Sequence, residues 1–285
     1  MLLTTAIKNK KKHMETLLVW CITLLLILPL FTSCTISSDN LLRIDVLDIG
    51  KADCIIIRNE KNTIMIDTGE EENLPKIESF LKSKNIKKIN CLILSHYDKD
   101  HIGGAEKILT TYDVETVLES SFTSEREEYT RYHNVALDKG ITISKLHNDT
   151  SMAIGNININ ISTPKKSSYE KKEDNNASLV VSLKFGERTF LFCGDAMNDR
   201  MNEILLENLG QFDLVKLPHH GSFLKNYDDI LHSFACKDVI ITDSEKNPAD
   251  EKLISLLNEK NIRCYESRYG TVSVTCDGKK ISIEQ

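Results

Sequence analysis

Residues 95–104 read Ser-His-Tyr-Asp-Lys-Asp-His-Ile-Gly-Gly, which packs His96, Asp98, Asp100 and His101 into six positions. The apolar run Cys91-Leu92-Ile93-Leu94 precedes this stretch and Gly103-Gly104 closes it. That is the pattern of a buried strand feeding a tight loop whose side chains converge. Imidazole and carboxylate together suit divalent transition metals, and two of each in one loop are enough to begin two adjacent sites. A solvated polar loop is the plainer reading of a lone His-x-Asp; the spacing and the flanks here are more specific. Tyr97 and Lys99, lying between ligands, are expected at the surface or rim.

Working outward, apolar β-branched runs at 41–47, 54–57 and 63–66 predict consecutive strands, the last ending in Asp67-Thr68-Gly69. Ile77, Phe80 and Leu81 at helical spacing behind Pro75 predict a helix over 75–84. A short helix at 104–111, a strand at 114–118 and a charged, exposed helix at 124–138 follow. The second half repeats the style. A strand at 157–161 leads to a long polar loop at 164–176, then to two strands at 178–185 and 189–193 joined by Gly186-Glu187-Arg188. A helix at 197–209 stopped by Gly210 comes next, then a strand at 214–217 ending in Pro218-His219-His220-Gly221-Ser222. Helix, strand and helix at 228–234, 239–242 and 249–260 precede three closing strands. Two halves of strands followed by helix–strand alternation imply an α/β fold of two packed sheets flanked by helices.

The first 33 residues differ from the rest. Lys8, Lys10, Lys11 and Lys12 give a basic start, residues 17–31 are almost wholly apolar, and Thr32-Ser33-Cys34 follow. This is the layout of a secretory signal. Phe31-Thr32-Ser33-Cys34 also resembles a bacterial lipobox, which makes Cys34 the candidate lipidated residue. The apolar run is shorter than the roughly 20 residues of a membrane span. The expected organisation is a leader at 1–33, a short linker at 34–40 and one domain at 41–285, anchored by lipid at the outer face of the bacterial cytoplasmic membrane. Without the four lysines and one glutamate of the leader the net charge falls from −6 to −9. An acidic domain is a poor generic binder of polyanions. Cys54, Cys91, Cys193, Cys236, Cys264 and Cys276 form no C-x-x-C pair. Cys54, Cys91 and Cys193 sit in apolar runs, which predicts buried free thiols rather than disulfides.

Four segments end apolar runs with candidate ligands: Asp67, the 96–101 cluster, Asp195 after Phe192-Cys193-Gly194, and His219-His220. Strand ends meeting at one edge of a sandwich are a natural place for a site. Asp195 is suited to bridge two ions, and Asp67 to orient ligands from behind.

These segments resemble the metallo-β-lactamase superfamily, and within it the extracytoplasmic domain of ComEC-type competence proteins. The matching pieces are residues 47–53, 66–69, 95–104, Asn176-Ala177-Ser178-Leu179-Val180, 192–195 and 217–222. The resemblance implies an αββα sandwich around a dinuclear hydrolytic centre. It assigns His96 and Asp98 to site 1, Asp100 and His101 to site 2, Asp195 to the bridge, and one of His219 and His220 to site 2. Asp100 and His220 are the candidate catalytic residues, with Asp67, Asn176 and Ser178 supporting the ligands. Asp98 replaces the superfamily's commoner His, as in the ComEC-type branch. The further site-1 His has no clear equivalent between Thr111 and Asp195; His133 and His147 lack its flanks, so either Asn175 or Asn176 stands in or site 1 is weak. Asn247-Pro248 stands where that branch has His-Pro.

The implied activity is hydrolysis by a water activated between two divalent ions, Zn²⁺ or Mn²⁺. Three aspartates make the site harder than a histidine-rich one, which keeps Mn²⁺ beside Zn²⁺. A phosphodiester, with DNA as the leading substrate, is the expected target. The alternatives are a cell-wall phosphodiesterase acting on teichoic acid or phosphorylcholine esters, and a non-catalytic metal-binding surface lipoprotein. No long apolar run follows residue 33, so a free-standing hydrolase is expected rather than a channel.

Overall fold

Alternation decides the architecture. In strand after strand, odd and even positions enter different cores. The computed structural model describes residues 41–285 apart from 61, 171 and 172; the expected leader at 1–33 and the lipidation candidate Cys34 lie outside the described residues. The first half runs β1 (Leu42–Val46), β2 (Ile55–Asn59), β3 (Asn62–Ile66), α1 (Leu74–Ser83), β4 (Lys88–Ile89) and β5 (Cys91–Leu94). It continues with α2 (Lys99–Ile102), α3 (Ala105–Thr111), β6 (Asp113–Val114), β7 (Thr116–Ser120), α4 (Glu127–Lys139) and β8 (Thr142–Leu146). The second half runs β9 (Thr150–Ile154), β10 (Ile157–Ser162), α5 (Glu173–Asn176), β11 (Val180–Phe185), β12 (Arg188–Phe192), α6 (Asn198–Glu207) and β13 (Leu214–Lys216). Next come α7 (Tyr227–Phe234), β14 (Asp238–Ile241), α8 (Glu251–Glu259), β15 (Arg263–Glu266), β16 (Val272–Cys276) and β17 (Ile281–Glu284).

One sheet has the order β17-β16-β1-β2-β3-β5-β7-β8, and a second has β15-β14-β13-β12-β11-β10-β9. Ile55, Ile57, Ile64, Ile66 and Ile93 of the first sheet meet Ile159, Ile161, Val181, Phe190 and Phe192 of the second in a shared core. The intervening Ile56, Met65, Leu92 and Leu94 face outward and are covered by Ile77, Leu81, Ile108 and Tyr132 from α1, α3 and α4. Leu191, Val215, Val239 and Ile241 are covered in the same way by Met201, Ile204, Ile230, Phe234 and Leu253. Strands buried on both faces read as continuous apolar runs, which is why 54–57 and 91–94 look alike in the sequence. The result is the expected αββα sandwich.

Each sheet contains a parallel run: β3-β5-β7-β8 and β12-β13-β14-β15. Parallel strands carry their carboxyl ends to one edge, so the loops after β3, β5, β12 and β13 share a rim. The candidate residues lie on those loops.

Several expectations change. Tyr97 is buried, and its hydroxyl donates to Ser120 O at 2.6 Å. The charged helix buries Tyr132 and Ala136 on one face. The helix before Gly210 ends earlier, at Glu207, because Asn208 already takes the left-handed conformation (φ 49°). The polar loop at 164–176 contains α5 and buries Tyr169, whose hydroxyl donates to Glu203 at 3.0 Å. The cysteines at 54, 91, 193, 236, 264 and 276 are all free.

Candidate metal centre

The loop after β5 sits against the loop after β3 because Gly103 and Gly104 lack side chains. A Cβ on Gly104 would lie 2.4 Å from Thr68 O, and one on Gly103 would lie 2.6 Å from Lys99 O and 2.9 Å from Glu70 Cα. Backbone bonds lock the two loops together: Thr68 N donates to His101 O at 2.7 Å and Gly104 N to Gly69 O at 3.0 Å. This close contact places Asp67 directly behind His101.

Asp67 holds three groups at once. Its Oδ1 accepts from Ser95 N, its Oδ2 from Ser95 Oγ, and His101 Nδ1 lies 2.7 Å from Oδ2. A carboxylate only accepts, so Nδ1 of His101 carries the hydrogen and Nε2 faces away, 3.2 Å from Asp195 Oδ1. His220 repeats the device. Its Nδ1 donates to Thr242 O at 2.9 Å, and its Nε2 lies 3.3 Å from both Asp100 Oδ2 and Asp195 Oδ2. Of the His219–His220 pair, His220 therefore sits with Asp100 and Asp195. His219 Nε2 stands 3.9 Å from Asp195 Oδ2. Both residues take left-handed backbone, φ 48° and 52°, ahead of Gly221 at φ 74°. Such strain costs about 1–3 kcal/mol per non-glycine residue and gathers at functional sites.

Asp100, His101, Asp195 and His220 thus present one donor atom each, all within 4.8 Å of one another. His96 and Asp98 lie next to them: His96 Nε2 is 3.6 Å from Asp98 Oδ2 and 3.9 Å from Asp195 Oδ2. Among the described residues, Nε2 of His96, His101 and His220 and Oδ1 of Asp195 are buried with no hydrogen-bond partner. An unpaired buried polar atom is costly, and three ring nitrogens converging on one carboxylate is an arrangement that a divalent cation resolves. The donor set fits a metal ion.

Electrostatics agree. Burial opposes the charged form of His220, yet Asp195 and Asp100 outweigh it and push the imidazole up to about 9. His101 is raised in the same way: burial is overcome by Asp195 and Asp67. Burial alone would lift Asp195 and Asp100, but the neighbouring imidazoles hold both below the usual carboxylate range.

The two asparagines divide their roles. Asn176 Oδ1 accepts from Arg200 N at the start of α6, so it braces that helix, whereas Asn175 Nδ2 donates to Asp98 Oδ2 at 3.2 Å. Ser178 Oγ accepts from Asp195 N at 3.3 Å, which seats the loop after β12. Three further residues were not expected at the centre. Lys216 is wholly buried and donates to Asp53 Oδ2 and, at 3.3 Å, to Gly194 O. Asp53 Oδ1 accepts from Thr242 Oγ1 at 2.5 Å and lies 3.6 Å from His220 Nδ1. Arg126, at the start of α4, donates to Asp98 Oδ1 at 2.5 Å. The sequence does carry one signal: a lysine between Val215 and Leu217 in a buried strand requires an anionic partner.

A family model described as Metallo-beta-lactamase superfamily matches residues 47–241. The chain belongs to the metallo-beta-lactamase superfamily. Within it, the chain is 26% identical over 304 residues to ComE operon protein 3 of Bacillus subtilis, covering 93% of this chain and 38% of that one. It is 27% identical over 220 residues to Recombination protein 2 of Haemophilus influenzae, covering 72% of this chain and 25% of that one. It therefore spans well under half the length of either relative. Among solved structures, the metallo-beta-lactamase fold protein YhfI from Bacillus subtilis superposes with a TM-score of 0.56 at 10% identity, over 85% of this chain and all of that one.

Proposed function

We propose that the chain is a metal-dependent phosphodiesterase that cleaves DNA outside the cytoplasm. The observation that carries this reading is the mutual closeness of Asp100, His101, Asp195 and His220. With His96 and Asp98 beside them, they would hold a pair of divalent ions, Zn²⁺ or Mn²⁺. Ions there would lower the pKa of a water towards roughly 7 and polarise a phosphoryl oxygen. The chain's own part is positioning. Asp67 and Thr242 fix the rings of His101 and His220 so that each Nε2 faces Asp195. Burial pushes the Cys193 thiol, two residues before Asp195, up to about 12, which keeps it un-ionised at neutral pH. The likeness to Recombination protein 2 supports DNA as substrate. The basic–apolar leader and Cys34 support export and a lipid anchor.

The experiment is hydrolysis of bis-p-nitrophenyl phosphate and of linear DNA with Mn²⁺ or Zn²⁺. The expected result is metal-dependent cleavage of both, abolished by a chelator. The net charge of −9 after residue 33 favours one second reading, a cell-wall phosphodiesterase, which cleavage of the small ester without DNA would select. A metal-loaded chain that cleaves neither ester contradicts both readings and leaves a binding module.

A further inference from the structure

The six candidate ligands are not equally free to bind. At Asp100, Asp195 and His220 the charged neighbours within 4 Å are imidazoles and carboxylates, and among the described residues no lysine or arginine pairs with Asp100 or Asp195. Asp98 is different. Arg126 takes its Oδ1 at 2.5 Å while Asn175 takes its Oδ2 at 3.2 Å, so both carboxylate oxygens already accept hydrogen bonds. The guanidinium has a second anchor in Asp174 Oδ2 at 3.3 Å, which steadies it over the Asp98 carboxylate. Among the described residues, no set of mutually close donors gathers on His96 and Asp98 comparable to the four at Asp100.

We infer that the centre is asymmetric, with Arg126 competing against a cation for Asp98, so that the His96–Asp98 position fills more weakly than the Asp100–His101–Asp195–His220 position. The inference rests on the metal-centre reading. Its physical basis is twofold. A carboxylate oxygen in a charge-assisted bond to a guanidinium offers a cation only its remaining lone pair, and that bond already neutralises part of its charge, so it is a weaker ligand. A fixed positive charge beside the position also repels a second cation. Both effects have the same sign. The Arg126 side chain is 39% exposed, so solvent screens the pair and the effect is moderate. Exposure also makes the arginine removable without opening a core.

Equilibrium dialysis of the full chain against stepped Mn²⁺, with bound metal counted by mass spectrometry, tests this. The wild-type chain should fill in two unequal steps. Arg126→Ala should tighten the weaker step by about two- to fivefold, the scale of a partly exposed ion pair, and leave the tighter step unchanged. Asp98→Asn should remove the weaker step alone. Circular dichroism of each variant should match that of the parent chain. Two steps of equal strength, or a weaker step that Arg126→Ala fails to tighten, overturn the inference while leaving the metal centre standing. A chain that takes up no divalent ion overturns the metal reading and this inference with it.

Discussion

Asp100→Ala should fold as the parent chain does and hydrolyse phosphodiesters roughly 10³-fold more slowly. The residue lies at the start of α2 with its side chain 23% exposed, so its removal leaves no buried cavity. The contact that joins this loop to the first sheet, Asp53 N to Asp100 O at 3.1 Å, is made by the main chain and survives the change. What is lost is one of four converging donors, together with the carboxylate that faces His220 Nε2 at 3.3 Å. Metal-borne charge stabilisation supplies several kcal/mol; at 1.36 kcal/mol per tenfold, a loss of about 4 kcal/mol gives that factor. The check is kcat/KM on bis-p-nitrophenyl phosphate beside a melting curve of the chelated protein. Unchanged turnover removes Asp100 from the chemistry.

Lys216→Met is expected to have the largest effect on stability. Methionine fills much the same volume but leaves Asp53 buried, charged and facing Asp195. Removing one partner of a buried ion pair costs about 3–5 kcal/mol. Lys216→Met/Asp53→Asn should recover part of the loss, because the second change removes the stranded charge. The pH dependence has a definite sign. In the native chain burial tends to raise Asp53, but Lys216, His101 and His220 outweigh it and hold Asp53 below its ordinary value. Its contribution is therefore present above the unfolded carboxylate pKa of about 3.9 and is lost as the pH falls through the lower folded value. Burial opposes the Lys216 charge and Asp53 overcomes it, so Lys216 is raised and its contribution is lost only as the pH rises through that raised value. Without Lys216 the carboxyl titrates upward, so the deficit of the single variant should shrink on acidification from pH 7 to 5. Urea unfolding at both pH values measures this, and a loss under about 1 kcal/mol at pH 7 would show that the pair is not stabilising.

The sandwich was legible because strands buried on both faces announce themselves as apolar runs, and because each chemical residue follows one directly. Asp67, the 96–101 cluster, Asp195 and His220 all stand at strand ends, so reading the strands located the centre. β8 and β9 were not read, because Ser144, Lys145 and Ser151 interrupt their apolar alternation at the edge of each sheet. Arg126 was missed for a different reason. It opens a charged helix, and only the tertiary fold brings that helix start to Asp98, 28 residues away. The Lys216–Asp53 pair spans 163 residues of chain, a separation that residue spacing does not encode. The choice of His220 over His219 rests on backbone geometry at two left-handed residues, which the doublet alone does not show.

The most direct test of the metal centre is anomalous diffraction from crystals grown with Mn²⁺. The strongest peak is expected to be enclosed by Asp100, His101, Asp195 and His220. Those four side chains bonded to one another with no peak between them, or the strongest peak lying elsewhere on the molecule, would contradict that assignment.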